Sequence, residues 1–422
     1  MRRILKFLLK ILLVLAVVVG ALLAHANYVP RHPPWRDWRP APRPDPPEPN
    51  AYDYYKRAQD ALPRATRGPD GQSQEMTADE EAAHDASVRQ AVAILREGFQ
   101  YHFVAPPAPL TNPLLDSSGQ DPFFFAFDTR PLAYALAHEA EREAAAGRWE
   151  QSVSCRLDLA HLELDLVAYR REIVMLVAAY LHRVGGTGLA EQLGHLSAAQ
   201  ARAGVTRLVA MRRGEPGFAD ILAGDEEGYQ AAIADGLDKG SWHDVASSLT
   251  DHRWPALWCS LLGNKPTYWR QLRRHDAATL AWARQQYGAA RPPRPPALLA
   301  ALSASTSETL AGERCRLAVF DAANAEFLTA LALQAWHAEH GGYPDNLDAL
   351  VPDYLSKVPT DPFIDQPLHY RRDGQGYLLY SVGPDREDDG GRPIEYRDKD
   401  GKVKREAMPD SKGDIVWGVN EG

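Results

Sequence analysis

The beginning of the chain constrains it most. Arg2, Arg3, Lys6 and Lys10 precede or flank an unbroken apolar run from Ile11 to Ala24. Such a run resists being left in water, and a positive flank stays on the cytoplasmic side while the apolar stretch enters the bilayer. The chain beyond about residue 27 is therefore expected outside the cytoplasm. Fourteen apolar residues are short for a span, which takes about 20. Residues 4–9 are also largely apolar, and Lys6 and Lys10 can snorkel toward the headgroups, which restores the length. On this reading residues 1–26 form an uncleaved, single-pass inner-membrane anchor, embedded through residues 4–24, and the bulk of the chain is periplasmic. Ala24-His25-Ala26 also fits the small-x-small pattern cut by signal peptidase. Secretion after cleavage near Ala26 stands as the alternative.

The whole chain, 422 residues with 45% hydrophobic and 24% charged composition, reads as folded protein with polar connectors, more than one ordinary domain in length. Lys plus Arg is 47 and Asp plus Glu is 56, a net charge of −9. That balance argues against nucleic acid as a partner. Cys155, Cys259 and Cys315 are far apart and form no C-x-x-C, so neither a disulfide framework nor a cysteine zinc site is indicated.

Proline divides the chain. Residues 27–50 carry Pro30, Pro33, Pro34, Pro40, Pro42, Pro44, Pro46, Pro47 and Pro49, which fix φ and remove backbone donors, as in an extended linker. Trp35 and Trp38 within it suit either a membrane interface or a seat on the following domain. Residues 51–290 read as an all-helical domain with solenoid-like packing. Thr77 to Glu80 and Ser197 to Gln200 are capping boxes. Asp128 or Thr129 opens a helix that Gly147 stops, and a return helix follows as an antiparallel hairpin. The run Phe123, Phe124, Phe125 and Phe127 carries too much apolar area for a free loop and reads as a plug between helices.

A second Pro-rich linker, residues 291–306, precedes a different pattern over 307–422. A long helix from about Ser307 to Glu339 ends at Gly341-Gly342, a short helix covers Asn346 to Val351, and strands are expected at Pro367 to Arg371, Gly376 to Ser381 and Ile394 to Tyr396. The fold class expected is mainly α with a C-terminal α+β module, and the two parts are expected to fold as separate domains.

The motifs of that module, His340-Gly341-Gly342-Tyr343-Pro344, Val351-Pro352-Asp353-Tyr354-Leu355, Val358-Pro359-Thr360-Asp361-Pro362-Phe363, Leu368-His369-Tyr370, Tyr380-Ser381-Val382-Gly383-Pro384-Asp385 and Gly413-Asp414-Ile415-Val416-Trp417, come in a fixed order. In that order they resemble the globular domain of the major pseudopilin of type II secretion systems, over roughly Ala311 to Gly418. The resemblance implies a long helix against a small antiparallel sheet and a calcium ion in the last loop. The matching ligands are the Val382 carbonyl and the Asp385 and Asp414 carboxylates, with Asp388, Asp389 and Asp410 nearby. Gly413 stands where that family commonly has another Asp. The family's processed N-terminal motif is not present in this sequence.

No catalytic residue is singled out. His337 and His340 bracket Glu339 without either zinc-protease spacing. His243-Asp244, His252 and His275-Asp276 are the residue types that metal phosphohydrolases gather from several helices. Two functions are therefore carried forward. The first is a membrane-anchored, non-enzymatic interaction or scaffold protein with a protein partner in the cell envelope, linked to secretion or envelope assembly through its pseudopilin-like part. The alternative is an exported helical metal-dependent hydrolase with that part as an accessory.

Overall fold

The computed structural model describes residues 2–26, 28–39, 47–63, 77–104, 129–168, 177–182, 188–240, 242, 263–302 and 307–420. The Phe123 to Phe127 plug, His243, Asp244, His252 and Cys259 lie outside the described residues. The chain is mainly helical with a small antiparallel sheet near its C-terminus.

The helices begin and end where side chains can satisfy their free backbone groups. Helices α1 (Arg2–Ala26) and α2 (Pro34–Asp37) lead to α3 (Ala51–Ala61) and α4 (Ala78–Gly98). Asn50 caps α3 by accepting from the Tyr52 N–H at 3.2 Å, and it also exchanges two hydrogen bonds with Val104 just past α4. One side chain thus starts one helix and fixes the end of the next. Thr77 opens α4 with the expected reciprocal bonds: its hydroxyl accepts from the Glu80 N–H, and Glu80 accepts from the Thr77 N–H at 2.8 Å. Helices α5 (Arg130–Ala145) and α6 (Trp149–Ala168) form the antiparallel hairpin, turned by Gly147 at φ +70°. Inside it the Ser152 hydroxyl, fully buried, donates to the Ala140 carbonyl at 2.7 Å. The short α7 (Leu189–Leu193) is followed by α8 (Ala198–Met211), opened by the Ser197–Gln200 capping box.

Helices α9 (Phe218–Lys239) and α10 (Lys265–Ala283) form a second layer. The buried Lys265 ammonium donates to the Leu237 and Gly240 carbonyls, placing a cation on the C-terminal end of α9 where the helix dipole favours it. Ala26, Trp35, Trp242, Tyr268 and Trp269 share a core with this layer. Trp38 meets Trp269 edge-on at 6.0 Å. Of the two settings open to Trp35 and Trp38, the one observed is a seat on the folded body.

After α11 (Ala297–Leu302), the 34-residue α12 (Ser307–His340) runs through the molecule for about 51 Å at 1.5 Å per residue. It has no apolar stripe; it is buried on several sides at once. Leu317 and Phe320 join the core of α3 to α6, while Phe327, Leu331 and Leu333 join Val153, Leu157, Val205 and Leu208 on one side and Leu347, Leu368 and Leu379 on the other. Gly204 lets α8 approach closely, since a Cβ there would lie 3.0 Å from Leu331 Cδ2. Polar side chains stitch both sides. Gln334 donates to the Leu196 carbonyl at 2.8 Å, and Glu326 accepts from the Ser381 N–H at 3.1 Å. The Pro-rich segment 291–306 therefore separates stretches of chain that share one core.

A 3₁₀ turn at Leu347–Leu350, capped by Asn346, leads to the strands β1 (Thr360–Asp361), β2 (Gln366–Pro367), β3 (His369–Asp373), β4 (Gly376–Ser381), β5 (Tyr396–Arg397), β6 (Val403–Lys404) and β7 (Ile415–Val416). Strands β3, β4 and β7 form the antiparallel sheet, with Tyr380 opposite both His369 and Val416. The third strand is thus Ile415–Val416 rather than Ile394–Tyr396. Ile394 is buried, and its N–H is taken by the Asp414 carbonyl at 3.0 Å, leaving only Tyr396–Arg397 to pair with Val403–Lys404 as an exposed hairpin.

Among the described residues no helix is long and apolar enough to cross a membrane, so the single-pass anchor is not supported by the structure of α1. The unbroken run Ile11 to Ala24 rises about 21 Å, against about 30 Å of bilayer hydrocarbon.

Leu331 is fully buried where α8, α12 and the sheet side meet. Leu331→Ala is expected to cost about 2–5 kcal/mol and to shift the melting of helical and sheet signals together. Circular dichroism and tyrosine fluorescence followed through the same denaturant titration check this. Two separated transitions, with only one displaced, would contradict a shared core.

Candidate functional site

The acidic loop between β4 and β7 is built on two glycines set back to back. Gly383 has φ +73°, and a Cβ on it would lie 2.8 Å from the Gly413 carbonyl oxygen; Gly413 has φ +107°, and a Cβ on it would lie 2.9 Å from the Arg392 carbonyl oxygen. Side chains are strained at such φ and have no room here. This accounts for Gly413 where the resemblance would place an aspartate: the close approach of the two loop arms requires glycine.

Beneath the glycines Asp361 is fully buried and accepts from the Phe363 and Val382 N–H groups at 2.9 and 2.8 Å. Burial raises its carboxyl, and those two bonds oppose the rise. Val382 is thereby fixed in the core.

The predicted calcium ligands stand as follows. Asp414 is fully buried, and its two carboxylate oxygens accept from the Gly391 and Asp389 N–H groups at 2.7 and 3.3 Å. Burial raises its carboxyl, the two N–H bonds oppose that, and the charges of Asp388 and Asp389 add to it. Asp385 accepts from the Glu387 N–H through Oδ1, while its Oδ2 is shielded from solvent and has no hydrogen-bond partner. Asp388 is held below the usual carboxylate range by the Gly390 N–H and the Tyr380 hydroxyl, the latter at 2.8 Å. Asp389 pairs with Arg392 at 2.6 Å. These are hard oxygens of the kind calcium takes, and the bare Asp385 Oδ2 is an atom that a cation would satisfy. Among the described residues, however, no three His, Cys, Asp or Glu side chains come together as a metal-holding group. A cation here would lean on Val382, Asp385 and Asp414 with backbone carbonyls or water completing its shell.

The histidine candidates separate. His340 stacks on Trp336 at 4.1 Å, and His337 on Tyr343 at 4.5 Å; both finish the end of α12. Asp276 is buried, accepts from Gln230 and shares a hydrogen bond with the half-buried Glu226. Its carboxylate is thus engaged by neighbours on α9. Cys155 and Cys315 are free buried thiols, each pushed up to about 11 by burial.

A cavity of about 330 Å³ lies between α6, residues 177–182, α12 and the C-terminal segment. Arg156 and Glu163 project into it from α6, and His182 Nδ1 lies 3.0 Å from Glu163 Oε2. Burial raises the Glu163 carboxyl, opposed by His182 and Arg156. Phe320 meets the His182 ring edge-on at 5.4 Å, and the Phe327 and Trp417 rings stack at 6.1 Å. The sequence reading missed these residues because it counted the leucines of α6. The available signal was a pair of charges, seven residues apart and so on one helical face, inside a leucine-rich stretch.

Compared with family models, with curated proteins and with solved structures, the chain matches none of them.

The Glu226–Asp276 pair gives a pH dependence of definite sign. Glu226 is pushed up to about 9 by burial and by the Asp276 charge, from an ordinary value of 4.5, and Asp276 is raised as well. The folded state holds the Glu226 proton more tightly than the unfolded state does, so this residue's contribution to stability falls as pH rises from about 4.5 to about 9. Glu226→Gln keeps the hydrogen bond without the titration and should flatten the decline in melting temperature between pH 6 and pH 9. An unchanged slope in the variant would contradict the assignment.

Proposed function

We propose that the chain is a membrane-attached envelope protein whose folded body, held outside the cytoplasm, serves as an interaction platform. The observation that carries this reading is the state of α1. Its side chains from Ile11 to Leu23 include nine large apolar residues between 41% and 66% exposed, at positions 11–15, 17–19 and 23 and hence on every face of the helix. Left in water these would be a severe aggregation liability; in lipid they are at home. Its C-terminal end is tied to the body: Ala26 is buried with Trp35, and Asn264 lies 3.0 Å from His25 Nε2. The candidate cleavage motif is therefore seated against folded protein, which favours an uncleaved attachment over release.

The helical hairpins and the pseudopilin-like module supply the platform, and the envelope partner is a protein. Calcium in the β4–β7 loop would clamp the loop to the C-terminal segment through Val382, Asp385 and Asp414. The support is the resemblance, together with the bare, shielded Asp385 Oδ2.

Fractionation tests the attachment. Intact chain should pellet with inner membrane and resist alkaline carbonate, and deletion of residues 4–24 should release it. Soluble periplasmic protein lacking its first 26 residues would overturn the reading.

Calcium is tested on the same full-length protein. A hundredfold excess over Kd stabilises a folded state by about 2.7 kcal/mol, so millimolar calcium should raise the melting temperature and chelator should reverse it. Asp385→Ala should abolish the shift with little change in the calcium-free melting point, because in exchange for one long, exposed bond from the Glu387 N–H it removes an unpartnered shielded oxygen and one charge from an acidic cluster. Equal melting of wild type in calcium and in chelator would remove calcium from the proposal.

A further inference from the structure

The cavity between α6 and α12 takes no part in membrane attachment or in the acidic loop, and three features of it point to a ligand. Its volume, about 330 Å³, is within the span of small-molecule sites, roughly 300–1,000 Å³. One side is apolar and aromatic: Phe320, Phe327 and Trp417 line it. The third feature is charge. Arg316, exposed on α12, lines the cavity and makes no hydrogen bond or ion pair to any described residue. Its charge acts on the Glu313 carboxyl, which burial raises, without forming an ion pair to it.

The other charged groups of the lining are largely committed. Arg405 pairs with Glu395 at 2.7 Å, Glu326 accepts from the Ser381 N–H, and Glu163 is engaged with His182 and raised by burial. Glu406 also lies on the lining and is itself engaged. Arg156 also lines the cavity, buried and acting on the Glu163 carboxyl; the exposed guanidinium on this lining with no hydrogen bond or ion pair to a described residue is that of Arg316.

We propose that this cavity binds a small organic anion, its ring or short apolar chain lying against Phe320, Phe327 and Trp417 and its carboxylate against Arg316. Arginine suits that task because its planar fork meets a carboxylate with two parallel hydrogen bonds. Ala323, half-buried on the lining one turn from Phe320 and Phe327, supplies the open space.

The test uses full-length protein in detergent, titrated by calorimetry with 2-naphthoate and with the cation of like shape, naphthalen-2-ylmethylammonium. The naphthoate should bind saturably with one site and the cation at least about tenfold more weakly. Arg316→Ala, a change at an exposed position, should weaken naphthoate by about tenfold while leaving the melting temperature unchanged. Ala323→Trp should fill the cavity and abolish binding, with its fold checked by circular dichroism. Absence of saturable binding, equal binding of anion and cation, or naphthoate affinity unaffected by Arg316→Ala would each overturn the proposal. Binding that survives in a folded Ala323→Trp variant would place the ligand elsewhere, in the detergent or on α1, and would overturn it too.

Discussion

The burial of α12 on several faces at once is the interaction on which the rest of this molecule depends. A helix with one apolar stripe can be covered by a single layer; α12 buries Leu317, Phe320, Phe327 and Leu331 along one face and Ala318, Ala322 and Leu333 along the opposite one. Exposing the leucines and phenylalanines would cost roughly 1.5–3 kcal/mol for each side chain, so the chain must bring a layer to both faces. Helices α6 and α8 cover one side and the strands after residue 360 another. The sheet has only three short strands, which is marginal on its own; lying on α12 gives it a buried face. The small module and the large helical region thus depend on the same helix.

Where apolar cover is interrupted by charge, the structure becomes chemically interesting. Arg156, Glu163 and Glu326 are all buried near the middle of the molecule, and such groups hold their places through partners rather than through close apolar packing. Glu326 reaches the β4 backbone and Glu163 reaches His182. The cavity opens between these groups and the aromatic rings. The acidic loop obeys a different constraint, in which two glycine backbones touch and two aspartates, Asp361 and Asp414, absorb the N–H groups that the tight turn leaves without strand partners.

Much of the local structure was legible in the sequence because its causes are local. A capping box needs four consecutive residues, and both Thr77–Glu80 and Ser197–Gln200 form as expected. Gly147 stops α5 because its φ is positive, and the extent of α12 follows from an apolar run ended by Gly341. What was not legible depends on residues far apart. The choice of Ile415–Val416 over Ile394–Tyr396 as third strand rests on which segment the Asp414 backbone engages. The cavity joins α6 to a tail more than two hundred residues later. Proline composition suggested a domain boundary at residues 291–306, but composition reports the connector and not what its two sides bury. Motif order placed Asp385 and Asp414 in one loop; it could not say that Asp414 would already hold two backbone N–H groups.

Native-state hydrogen exchange addresses the central role of α12 most directly. If α12 is the shared core, the amides of residues 320–334, those of α8 and those of β4 should exchange only through a common opening, with one free energy that falls along one line as denaturant is added. The result that would contradict this is α8 exchanging through an opening of distinctly lower free energy while α12 and β4 stay protected together, for then the C-terminal module would hold itself together without the helices laid against it.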